Sequence, residues 1–74
     1  VSAVFDKVLA ISKPYLGPAA ESFLSRQCRA HLKVEAKDLS SGQLKELAKW
    51  AEIGAGLLMD PAKAAEMARK IASS

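Results

Sequence analysis

Cys28 and His31 are the single cysteine and the single histidine of the chain. They stand three residues apart, which on a helix puts them on neighbouring parts of one turn. A thiol beside an imidazole is the pairing from which a nucleophilic cysteine is made, because the base lowers the thiol pKa and the thiolate attacks. That chemistry also needs a third group to orient the imidazole and a site to hold the oxyanion. The sequence offers neither. Cys28 falls instead on an apolar stripe with Ala20, Phe23, Leu24 and Leu32, so it is expected to be an inert core thiol. His31 stands where the same helix should end, a place where a protonated imidazole favours the helix dipole, and it is read as a cap or a flank of the core.

Other chemistries fail on spacing. Gly42, Gly54 and Gly56 belong to a helix start and a helix interior, not to the strand-to-helix turn of a phosphate loop. Asp6, Glu21, Asp38 and Glu52 are each explained by caps, first turns or a solvated face, and no catalytic carboxylate pair emerges. One cysteine permits no internal disulfide, and no Cys/His set has metal-ligand spacing. No catalytic, cofactor-binding or metal residue is assigned, and the chain is expected not to be an enzyme.

At 74 residues, half of them hydrophobic and 26% charged, the chain is expected to be a single domain. It is near the smallest size a lone apolar core sustains, and too apolar for a disordered tail. No apolar run approaches the roughly 18 residues of a spanning helix, and the first residues lack a signal-peptide layout. A soluble, cytoplasmic protein with no membrane contact is expected. The opening on Val1 rather than Met is expected of a fragment of a longer polypeptide. A net charge of +3 is too small to argue for nucleic acid by itself.

Ala, Leu, Lys and Glu dominate, and no stretch alternates with period two, so the spacing predicts an all-α, compact four-helix domain. The first helix is expected over about 2–12, with Val4, Val8 and Ile11 three or four apart, followed by Tyr15. Pro14 and Gly17-Pro18 are expected to interrupt it, and Pro18 to open a second helix over 18–32. Ser40 with Gln43 forms a capping box, with Leu39 and Leu44 at staple spacing, so a third helix is expected over 41–59. Asp60 as N-cap and Pro61 at the first helical position start a fourth over 61–72. It is expected to turn Ala64, Met67, Ala68 and Ile71 inward, with a Glu66–Lys70 pair outside.

The third helix carries two apolar faces. At about 100° per residue, Leu44, Leu47, Ala48, Ala51, Ala55 and Leu58 make one core-facing stripe. Trp50, Ile53 and Leu57 make a second, centred about 140° away. Leaving it in water would forgo about 1.5–3 kcal/mol per large side chain, so something should cover it. Either the first helix packs over Trp50 and Ile53, or a second copy or another protein does. Gly54 and Gly56 each cost about 1 kcal/mol relative to alanine inside a helix, which is explained by close approach of another segment or by simple tolerance. Arg26, Arg29 and Lys33, with His31 and Lys37 nearby, form a basic patch that suits an acidic protein partner or a phosphate and is equally the usual solvated surface. An alternative uses the third and fourth helices as a helix-turn-helix, with Lys63, Arg69 and Lys70 toward DNA. Against it, the first turn of the fourth helix offers only Lys63 for reading bases.

The stretches "PYLGPAAESFLSRQCRAHL" and "LKELAKWAEIGAGLLMDPAKAAEMARKI" resemble small all-helical modules near the ends of bacterial signalling proteins, including kinases and response-regulator-like chains. Gly17, Pro18 and Arg26 match the Gly-Pro that opens an apolar helix and the Arg beyond it. The resemblance implies a regulatory or protein-interaction appendage without catalysis. The expected function is accordingly protein–protein interaction or self-association, such as a homodimer, in a cytoplasmic signalling protein. Trp50, Ile53 and Leu57 are its contact stripe, and Arg26, Arg29 and Lys33 its acidic-partner patch. No cofactor and no small-molecule substrate are expected.

Overall fold

Ser40 and Gln43 close the capping box read from their spacing. The Ser40 N–H donates to Gln43 Oε1 at 3.1 Å, and Leu39 and Leu44 are both buried across it, as a hydrophobic staple requires. The helix beyond this box opens as a 3₁₀ turn, Ser41–Gln43, and continues as α3, Leu44–Ala55. At the next start, Asp60 Oδ1 accepts the Ala62 N–H at 2.8 Å, and Pro61 is the first residue of α4, Pro61–Ala72. In this computed structural model, which describes residues 3–74, α3 is shorter than the expected 41–59. The chain leaves the helix after Ala55 and turns, with Leu58 N–H returning to the Ala55 carbonyl at 2.9 Å. Leu58, expected inward, is instead 68% exposed, because the helical period that aimed it at the core has ended.

The first helix, α1, spans Ala3–Leu16 with Pro14 inside it, so it does not stop at 12. Proline lacks the N–H that would bond the carbonyl four residues back, and its ring crowds that carbonyl. Ala10 and Pro14 are both exposed, so water can serve that carbonyl. The break falls at Gly17, whose φ of +62° is the left-handed turn glycine adopts without cost. Ser2, included in the expected helix, lies outside the described residues. Helix two covers the expected 18–32 in three pieces: a 3₁₀ turn Gly17–Ala19, the α-helix α2 at Ala20–Gln27, and a π-helical turn Cys28–Leu32. Lys33 then reverses the chain at φ 60°, its N–H bonding the Cys28 carbonyl, and the Val34 N–H reaches the same oxygen at 3.3 Å.

The fold is all-α, with no strand among the described residues. Phe5 and Val8 of α1, Leu24 of α2, Cys28, Leu47 and Ala51 of α3, and Met67 and Ile71 of α4 are buried in one core. The inward face of α4 is the expected Ala64, Met67, Ala68 and Ile71. α3 packs chiefly on α4, α1 packs on α4 and α2, and the π turn and α2 meet another flank of α3. The radius of gyration, 10.6 Å, is slightly below the roughly 11 Å typical of a compact chain of this length. No helix among the described residues is long and apolar enough to cross a membrane.

Candidate interaction surface

The tryptophan sits at a seam. Trp50 is half-buried, and the His31 imidazole lies flat on its indole, with centroids 4.0 Å apart and planes 5° from parallel. The ring laid on Trp50 thus comes from the π turn of helix two, whereas the sequence pointed to helix one or a partner. The Lys49 ammonium stands 5.4 Å from the same indole centroid. The rest of the second stripe is open: Ile53 is 54% and Leu57 86% exposed. With Leu58, they place three large aliphatic side chains in water around the end of α3. Leu58 is an exposed residue that helical spacing misses, since its exposure follows from where the helix ends.

The two glycines of α3 and its cap behave differently. A Cβ on Gly54 would meet Phe23 Cζ at 3.0 Å and Gln27 Nε2 at 3.1 Å, so glycine here lets helix two lie close against α3. At Gly56 a Cβ would meet only carbonyl oxygens of its own helix, Glu52 at 3.1 Å and Ile53 at 3.6 Å. No neighbouring element needs that second glycine to be small.

Arg26, Arg29 and Lys33 lie along the end of helix two, with Arg29 and Lys33 each two residues from His31. Arg26, Arg29 and Lys33 are all exposed, and among the described residues no carboxylate stands within ion-pair distance of them.

Cys28 and His31 do not assemble as nucleophile and base. His31 is engaged with Trp50, and the Cys28 thiol is fully buried. Burial pushes its pKa up, the direction opposite to the one an attacking thiolate requires. The described residues hold no group of three metal-ligating side chains and no pocket.

A second polar cluster, only partly read from the sequence, ties α1 to α4. The Tyr15 hydroxyl donates to Glu66 Oε2 at 2.5 Å, and the Lys70 ammonium stands 3.7 Å from the same oxygen and 5.2 Å from the Tyr15 ring. The Glu66 carboxyl is held below the usual glutamate range, first by the Tyr15 hydrogen bond and then by Lys63; desolvation opposes this, and Lys70 and Arg69 add to the lowering. Only the Glu66–Lys70 half was visible from i,i+4 spacing.

No family model, curated protein or solved structure matches the chain.

Proposed function

We propose that this chain is a four-helix domain serving as a non-catalytic protein-interaction or self-association module of a cytoplasmic, bacterial signalling or regulatory protein. Ile53, Leu57 and Leu58 form the contact surface, and Trp50 anchors its edge. The observation that carries this reading is the exposure of those three aliphatic side chains, whereas the other large aliphatic side chains among the described residues lie in or against one core. Each forgoes part of the roughly 1.5–3 kcal/mol that full burial supplies, a sizeable sacrifice for so small a domain. Arg26, Arg29 and Lys33 steer an acidic partner, acting on the rate of encounter more than on affinity. The signalling context rests on the resemblance of the Gly17-Pro18 helix and the α3–α4 pair to terminal modules of bacterial signalling chains.

The test is sedimentation across a concentration series, run on the wild type and on Ile53→Ser/Leu57→Ser. Association that rises with concentration in the wild type and disappears in the variant, with helicity unchanged, is the expected result. An association profile indifferent to both substitutions overturns the assignment.

A second reading, DNA binding by α3 and α4, draws on the short joint between them and on exposed Lys63 and Arg69. Lys70 is drawn instead toward Glu66 and Tyr15. Retention on a duplex that falls steeply with salt and depends on Lys63 and Arg69 would favour it; no retention at low salt closes it.

A further inference from the structure

Helix two brings its basic end against the stretch of α3 that carries the open aliphatic residues. The His31 ring, with Arg29 and Lys33 two residues to either side, lies on Trp50. Phe23, three residues before Arg26, borders Gly54, and the Gly54 carbonyl accepts the Leu57 N–H at 3.2 Å. On α3 itself Lys45 and Lys49 are offset by Glu46 and Glu52, so the excess of positive charge on this side comes from helix two. We infer that the preferred occupant of the surface formed by Ile53, Leu57 and Leu58 is an amphipathic helix with an acidic flank, supplied by another protein, which displaces a second copy of this chain. The inference rests on the contact surface proposed above.

Charge, area and shape select that partner. A two-fold dimer sets the same patch against itself, so a second copy, itself of net charge +3, meets Arg26, Arg29 and Lys33 with charge of the same sign. Three aliphatic side chains also supply only on the order of a few hundred Å², against the roughly 800 Å² per partner of a standard stable interface. Self-association through this surface is therefore weak and open to displacement. The described residues offer no strand edge for an extended peptide and no pocket for a single deep anchor. Ile53 and Leu57, four residues apart, stand about one helical turn from each other, a spacing that apolar i, i+3 and i+4 residues of a facing helix match. An anionic membrane fits less well, because Glu52 adjoins Ile53 and Trp50 lies under His31 rather than free to enter lipid.

A displayed library of alanine-based helical peptides, selected on the purified chain, tests this. The peptides carry Leu, Ile or Phe at the apolar positions and Glu, Lys or Ser at random on the flanks. Glu is expected to dominate the flanks of those retained. With a selected peptide, Arg26→Ser/Arg29→Ser/Lys33→Ser should slow association about tenfold at low ionic strength and little at high, with dissociation nearly unchanged. These positions are exposed, and circular dichroism checks that the helices remain. Ile53→Ser/Leu57→Ser should abolish binding, and the peptide should return self-associated wild type to single chains in the sedimentation series. Flanks dominated by Lys or Ser, no retained peptide at all, or retention by equimolar phosphatidylserine–phosphatidylcholine vesicles in place of any peptide overturns the acidic helix. Association of the chain with itself through Ile53 and Leu57 would then still stand, whereas peptide binding that ignores both residues overturns the two readings together.

Discussion

The edge of the Phe23 ring occupies the space a side chain at Gly54 would need: a Cβ built there stands 3.0 Å from Phe23 Cζ and 3.1 Å from Cε1. Two effects then compete in Gly54→Ala. Alanine gains about 1 kcal/mol of helix propensity, while the ring and Gln27 must move by a few tenths of an ångström. We expect a net loss of stability in the wild type. In a Phe23→Leu background the same change should stabilise by about 1 kcal/mol relative to that background, a coupling that urea unfolding of the four chains measures.

Ser12 is fully buried in α1, and its hydroxyl has no hydrogen-bond partner. An unmet buried hydroxyl costs about 1–3 kcal/mol, and alanine is the better helix former. Ser12→Ala is expected to raise stability by about 1 kcal/mol, or roughly 4–8 °C in Tm by calorimetry. A lower Tm would mean that the oxygen has a partner after all.

Tyr15→Phe removes the bond that joins α1 to Glu66 on α4. The folded Glu66 carboxyl is held low chiefly by that bond, so its contribution is complete above the ordinary glutamate range and is lost as pH falls through the folded value. Tyr15→Phe should therefore lower Tm at neutral pH, and the gap to the wild type should narrow once the pH drops below about 4. Melting curves against pH check the sign; a gap that widens in acid contradicts it.

Ile53→Ser and Leu57→Ser remove side chains that are mostly in water, so each should change stability by no more than about 0.5 kcal/mol. Leu47→Ala, at a fully buried position, should cost about 2–5 kcal/mol. Chemical denaturation of the three variants compares them directly, and a large loss at Ile53 would place that residue in the core.

Asp60→Ala deprives α4 of the cap on the Ala62 N–H and is expected to cost about 1 kcal/mol. Asp60→Asn, which keeps an acceptor oxygen, should recover most of it in the same unfolding measurement.

Local chemistry written in adjacent residues was legible from the sequence. Ser40 with Gln43, and Asp60 with Pro61, announced the starts of α3 and α4, because a cap is a bond between residues two or three apart. The inward face of α4 came from its period. Pro14 misled, since a proline near the end of a helix, with the carbonyl it orphans in water, does not stop the helix. Leu58 misled because a fixed period was carried past Ala55, where the helix stops. The cover on Trp50 was not legible: nothing in the spacing of helix two marks the π turn that delivers His31, and Tyr15–Glu66 joins residues 51 positions apart.

At Cys28–Leu32 each hydrogen-bonded ring holds one residue more than an ordinary helical turn. Losing Ala30 would let the segment rewind as plain α-helix and would rotate the residues C-terminal to it by about 100°. A single-codon deletion there would thus leave a well-formed rod and still detach the imidazole from the indole. At this point in the chain, length itself carries information that residue identity alone does not.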